Sequence, residues 1–149
     1  MNIQESEARK NLDGIEYLRK RISGELPEPP MLVTVPTRII HVETGRVIME
    51  TIGDDRHLNP ASTIHGGFIA TVMDSVMAAS IRTILKAGED LTTIEINVKY
   101  LKPALPGIKL FAEGNLVNVT KRIGTAEGAL KNDAGELLAF ATISCMIFR

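Results

Sequence analysis

From Ile64 to Lys86 the chain runs without a proline and is apolar on most of its faces. Phe68, Ile69, Val72, Met73, Val76, Met77, Ile81, Ile84 and Leu85 leave only a narrow polar stripe at Thr71, Asp74, Ser75, Ala78 and Arg82. A helix this greasy must be covered on several sides, so it is expected at the centre of the molecule. The rest of the chain has to supply that cover.

Strands are the predicted cover. Thr37–Glu43 and Arg46–Ile52 flank Thr44-Gly45, a hairpin signal. After Gly88, Ile94, Ile96, Val98 and Tyr100 alternate with Thr93, Glu95, Asn97 and Lys99, the period of a half-buried strand that Pro103 and Pro106-Gly107 end. Lys109–Val119, Gly124–Lys131 and Leu137–Phe148 follow, the last two joined by the turn Asn132-Asp133-Ala134-Gly135. Two strands, a helix and four meandering strands predict an α+β fold, with one long helix against a single antiparallel sheet. Glu5–Ile22 reads as an additional charged helix with an apolar stripe at Ala8, Leu12, Ile15, Leu18 and Ile22, stopped by Gly24 and a connector stiffened by Pro27, Pro29 and Pro30. The expected division is residues 1–30 for that helix and connector and residues 31–149 for the main domain, the first part being too small to fold alone.

Several function classes are disfavoured by composition and motif. With 17 basic and 18 acidic residues among 149, there is no excess positive field to hold nucleic acid or an anionic membrane. No stretch is apolar enough to span a bilayer, and residues 1–10 carry no apolar signal core, so a cytoplasmic protein is expected. Cys145 is the sole cysteine and lies in an apolar run, where it reads as a buried thiol rather than a nucleophile. No His-x-x-x-His, cysteine pair, phosphate-binding loop, dinucleotide fingerprint or Gly-x-Ser-x-Gly elbow occurs, so neither metal nor redox cofactor is expected.

The local signal that stands out is Asn59-Pro-Ala-Ser-Thr-Ile-His65-Gly66-Gly67, immediately before the greasy helix. Glycines at a helix start leave the free N–H groups of the first turn open to close approach, where the helix dipole favours an oxyanion. A flexible loop-to-helix joint accounts for the same glycines. Asp74 is a carboxylate midway along that helix: either a solvated position on the polar stripe, or a base or nucleophile in a dry pocket. His65 and Asp74 are nine residues apart, roughly 13 Å along the axis and about half a turn in angle, so one helix cannot aim both at one substrate. Either they are unrelated or a second subunit supplies one of them. His41 reads as a strand surface residue, and His57, beside Asp54, Asp55 and Arg56, as the partner in a loop hydrogen bond or ion pair.

Asn59, His65-Gly66-Gly67, Asp74 and the strand Thr92-Thr93-Ile94-Glu95-Ile96-Asn97-Val98-Lys99-Tyr100-Leu101-Lys102-Pro103 together resemble the hotdog-fold thioesterases of the phenylacetate-degradation type, from about Thr34 to the C-terminus. The resemblance implies hydrolysis of acyl-coenzyme A at sites between the central helices of two subunits, in a homodimer or dimer of dimers. It gives Asp74, from the opposite chain, the role of general base or nucleophile, and the Gly66 N–H that of oxyanion donor. It puts Asn59 at the water or carbonyl, His65 beside the thioester, and Thr93 at the attacking water. Gly67, Lys121 and Arg122 fall near the coenzyme A moiety. Ser62 and Ala78 stand where such proteins commonly carry glycine. The rival readings are a non-catalytic acyl-coenzyme A sensing module and a hotdog dehydratase or hydratase.

Overall fold

The computed structural model describes residues 3–149; the first two residues of the expected 1–30 segment lie outside the described residues. At its centre is the greasy helix, which spans Gly66–Arg82 and is called α4 in chain order. Val72, Met73, Val76, Met77 and Ile81 are completely buried on it, each burial contributing about 1.5–3 kcal/mol. The helix is shorter than the apolar run. His65 caps it in front, and behind it the chain tightens into a turn in which the Leu85 N–H donates to the Arg82 carbonyl at 3.0 Å.

The cover is one six-stranded antiparallel sheet of β1 (Thr37–Glu43), β2 (Arg46–Ile52), β3 (Asp90–Tyr100), β4 (Lys109–Val119), β5 (Ile123–Asn132) and β6 (Leu137–Phe148). Their order across the sheet is β1-β2-β4-β5-β6-β3. The expected four-strand meander therefore holds for β4 to β6 only. After α4 the chain lays β3 at the far edge beside β6, and β4 returns to pair with β2. The sheet closes tightly on the helix where side chains are missing. A Cβ on Gly114 would stand 2.5 Å from the Val76 carbonyl oxygen, and one on Gly128 would stand 2.9 Å from the Met77 side chain.

The N-terminal segment departs from the sequence reading. In place of one helix over Glu5–Ile22 there are two, α1 (Ile3–Asn11) and α2 (Gly14–Ile22). Asp13 starts the second by accepting the Glu16 N–H at 2.9 Å. The break lets the chain dock on the end of α4: the Gly14 N–H donates to the Leu85 carbonyl, and a Cβ on Gly14 would fall 1.6 Å from the Arg82 carbonyl oxygen. Tyr17 and Arg21 take buried places, while Ile22 is 45% exposed. The proline connector contains a further short helix, α3 (Pro30–Thr34), which proline suits at its first turn. Leu18, Leu26 and Val35 join the same buried cluster as α4 and the sheet.

A bulge in β3 corrects the other expectation. Thr93 pairs with Cys145 and Glu95 with Ser144, leaving Ile94 as the extra residue. Simple alternation put Ile94 inside with Ile96 and Thr93 outside. Instead Thr93, Ile96, Val98 and Tyr100 stand opposite the buried Cys145, Ile143, Ala141 and Ala139, and share their face. Ile94 is 52% exposed.

Candidate functional site

From β3, Thr93 reaches Asp74. The Thr93 hydroxyl donates to Asp74 Oδ1 at 2.8 Å, so one carboxylate oxygen is held while Oδ2 is left for another partner. Asp74 borders a cavity of about 590 Å³ with Thr71, Ser75, Ala78 and Arg82, the polar stripe of α4. The stripe thus faces a partly enclosed hollow between helix, sheet and N-terminal segment, with Asp74 half-buried in it. Cys145 lies behind Thr93, its sulfur 3.8 Å from the Thr93 hydroxyl. Burial pushes its thiol up, the Thr93 contact opposes that in part, and the Asp74 charge adds to the rise, so the sulfur stays protonated. It is the buried thiol expected from its setting.

The second group forms at the helix start. Asn59 holds the loop in front of α4: its Oδ1 accepts the N–H groups of Ala61 and Thr63, and its Nδ2 donates to the Thr63 hydroxyl at 2.8 Å. The loop forces Ser62 to a φ of 59°, the left-handed region that suits the glycine it replaces. His65 accepts the Gly67 N–H on Nδ1 at 2.8 Å, which assigns its ring proton to Nε2 and makes it the helix cap. Gly67 therefore has its N–H engaged. The Gly66 N–H does not: among the described residues no acceptor meets it. Tyr100, which sequence reasoning left without a role, closes over this turn. Its hydroxyl donates to the Gly66 carbonyl at 2.8 Å, and a Cβ on Gly66 would come within 3.1 Å of its ring. The sequence hint was its place on the apolar parity of the strand, in phase with Ile96 and Val98. Asn59, Gly66 and Tyr100 border one cavity of about 400 Å³, separate from that of Asp74.

Within one chain the expected residues thus fall into two groups, Asp74 with Thr93 and Asn59 with Gly66, on different sides of α4. His65 and Gly67 border a third hollow with His57 and Arg56. Lys121 and Arg122 lie exposed at the β4–β5 turn and border neither of these two cavities; the Lys121 carbonyl accepts from Arg149 and the Arg122 carbonyl from the Ile147 N–H. His41 is a surface residue 3.6 Å from Glu43. His57 completes a capping arrangement with Asp54 and packs its ring 4.7 Å from that of Phe68. Among the described residues no three metal-ligating side chains gather, and no helix is long and apolar enough to cross a membrane.

The inner end of the Asp74 cavity is built of charge. Arg21, 6% exposed, donates to both oxygens of Glu5 at 2.7 and 2.8 Å and also to the Pro27 carbonyl. Arg9 links Glu5 to Asp90, which also receives Arg82. The Tyr17 ring lies under Arg21 at 4.8 Å and Arg82 at 5.2 Å. Burial alone would raise the carboxyl of Glu5, but the Tyr17 hydroxyl and the Arg21 and Arg9 guanidiniums bring it below its ordinary value. Asp90 follows the same pattern: burial opposes ionisation, and Arg82 and Arg9 outweigh it.

The arrangement has relatives. An Archaeoglobus fulgidus protein named for esterase activity is 33% identical over 70% of this chain, which spans 66% of that protein's length. Acyl-coenzyme A thioesterase 13 of Homo sapiens is 26% identical over 68% of this chain and 72% of its own. In the crystal structure of a phenylacetic acid degradation-related protein of Ralstonia eutropha JMP134, the match covers 87% of this chain and 98% of that one, with a TM-score of 0.81 and 29% identity. The hotdog fold implied by the motifs is thus the fold found. The model of the Thioesterase superfamily matches residues 61–139, more than half of the chain and the whole stretch from the helix start through α4 and β3 to β6, and the chain belongs to that family.

Proposed function

We propose that the protein hydrolyses acyl-coenzyme A thioesters at a site assembled from two copies of the chain. The observation that carries this reading is the pairing of a free Gly66 N–H with an Asp74 carboxylate that the same chain turns away from it. One copy supplies Asp74, steadied by Thr93. The other supplies Gly66 at the tip of α4, steadied by Tyr100 and by the loop that Asn59 holds. The coenzyme A class follows the human relative, named an acyl-coenzyme A thioesterase.

In this arrangement Oδ2 of Asp74 takes a proton from water as the water oxygen adds to the thioester carbonyl carbon. The carbonyl oxygen becomes an oxyanion and accepts from the Gly66 N–H, with the positive end of the helix dipole behind it. Collapse reforms the carbonyl and breaks the carbon–sulfur bond. The departing thiolate recovers the proton from Asp74, leaving a free acid and coenzyme A. Thr93 donates to Asp74, so its hydroxyl oxygen still has a lone pair to accept from the water.

Subunit mixing tests the reading. Asn59→Ala removes the loop's anchor and Asp74→Asn the base, so each protein alone should be nearly inactive. Refolded together in equal amounts, half the dimers are mixed and each has one intact site, so about a quarter of wild-type turnover should return. Mixed dimers confirmed by mass with no activity above the parents would mean that no such shared site exists.

A further inference from the structure

Resting on that reading of Asp74, we propose that the N-terminal helices form the blind end of an acyl pocket and restrict the enzyme to medium-chain acyl groups. Asp74, Ala78 and Arg82 follow one another at four-residue spacing along α4 and border the same cavity. From the first to the last is about 12 Å of helical rise. The small side chain of Ala78 leaves the space between them open, and Leu18 from α2 and Leu91 from β3 give that space apolar sides.

The two directions out of the site differ. Toward Thr71 the cavity passes Met31, which is 52% exposed, and reaches the hollow that also borders His65 and Gly67. That end is open and suits the bulky carrier. Toward Arg82 it stops at the cluster of Arg82, Arg9, Tyr17 and Arg21. These guanidiniums are already committed to Glu5, Asp90 and the Pro27 carbonyl. An apolar chain end offers them nothing in exchange, so pushing past them would strand buried charge. A thioester carbon at Asp74 therefore leaves room for an acyl chain of about eight to ten carbons, at the roughly 1.25 Å that each staggered carbon–carbon bond adds along an extended chain.

The test is kcat/KM across straight-chain acyl-coenzyme A esters from acetyl to palmitoyl. The value should climb about two- to fourfold per methylene as apolar surface is buried, peak near eight to ten carbons, and fall beyond about twelve. Ala78→Phe fills the passage and should cut the decanoyl-to-butyryl ratio at least about tenfold, whereas Leu18→Ala enlarges it and should move the peak to longer chains. A flat profile, a peak at four carbons or fewer, or ratios unmoved in both variants overturns the proposal. Calorimetric binding of decanoyl- and acetyl-coenzyme A to the Asp74→Asn protein reads the pocket without turnover. Preference for the decanoyl ester there, together with a wild type that cleaves no thioester, would uphold the pocket and reject the hydrolase.

Discussion

At the β1 edge of the sheet, α2 and α3 lie over the strand, and Leu18, Leu32 and Val35 bury themselves beside Ile39. At the β3 edge no further strand of the described residues pairs with the eleven residues of strand, and Ile94, Ile96 and Tyr100 are exposed on it. Long apolar edges with free backbone groups invite a second strand, and proteins that must stay alone blunt them. This chain blunts one edge with its own helices and leaves the other bare, on the strand that carries Thr93. The contrast fits an edge kept for a second copy of the chain, placed where a shared site would need it.

Three substitutions can break that contrast. Ile94→Lys puts a charge on the bare edge; sedimentation should show loss of self-association, and turnover should fall about 100-fold or more, since each site would lack its second half. Unchanged association would mean that β3 is not the contact. On the covered side, Arg21→Met strips the half-buried Glu5 of its main partner and should lower stability by about 2 kcal/mol in urea unfolding, with any self-association unchanged. An unaltered midpoint would show that the charged cluster adds no net stability. The mildest effect is expected from Thr93→Val, which keeps shape and loses the hydroxyl. It should reduce kcat about tenfold with little change in KM, as for an interaction made mainly in the transition state. A change confined to KM would assign Thr93 to substrate binding instead.

What the sequence made legible follows from periodicity. The apolar faces of α4 could only be met by a sheet, and turn residues such as Gly45 and Gly135, both at positive φ, marked the hairpins. Asp74 was visible because a carboxylate interrupts an apolar helix. The contacts that depend on two elements meeting were not visible. Nothing local distinguishes a helix running through Asp13-Gly14 from one broken there, because the cause is the end of α4, sixty-eight residues on from Gly14 at Arg82. The same holds for Tyr100, whose partner is a backbone carbonyl, and for His65, which a motif reading puts beside the substrate and whose Nδ1 is occupied by the next turn of its own helix.

The extra residue in β3 has a consequence for how such a strand can vary. Even and odd positions of a strand normally carry separate traffic, one parity for the interior and one for water. Ile94 changes the phase, so the hydroxyl of Thr93 and the greasy side chain of Ile96 reach the same face from opposite parities. A chain that lost this single residue would still show a well-alternating strand and could still close around its helix. It would still set Thr93 opposite Cys145, two places from Ile96 on one face, and so still deliver a hydroxyl to Asp74. The insertion therefore masks the chemistry from a reading of parity without being needed to build it, and a relative without it could keep both the apolar face and the partner of its carboxylate.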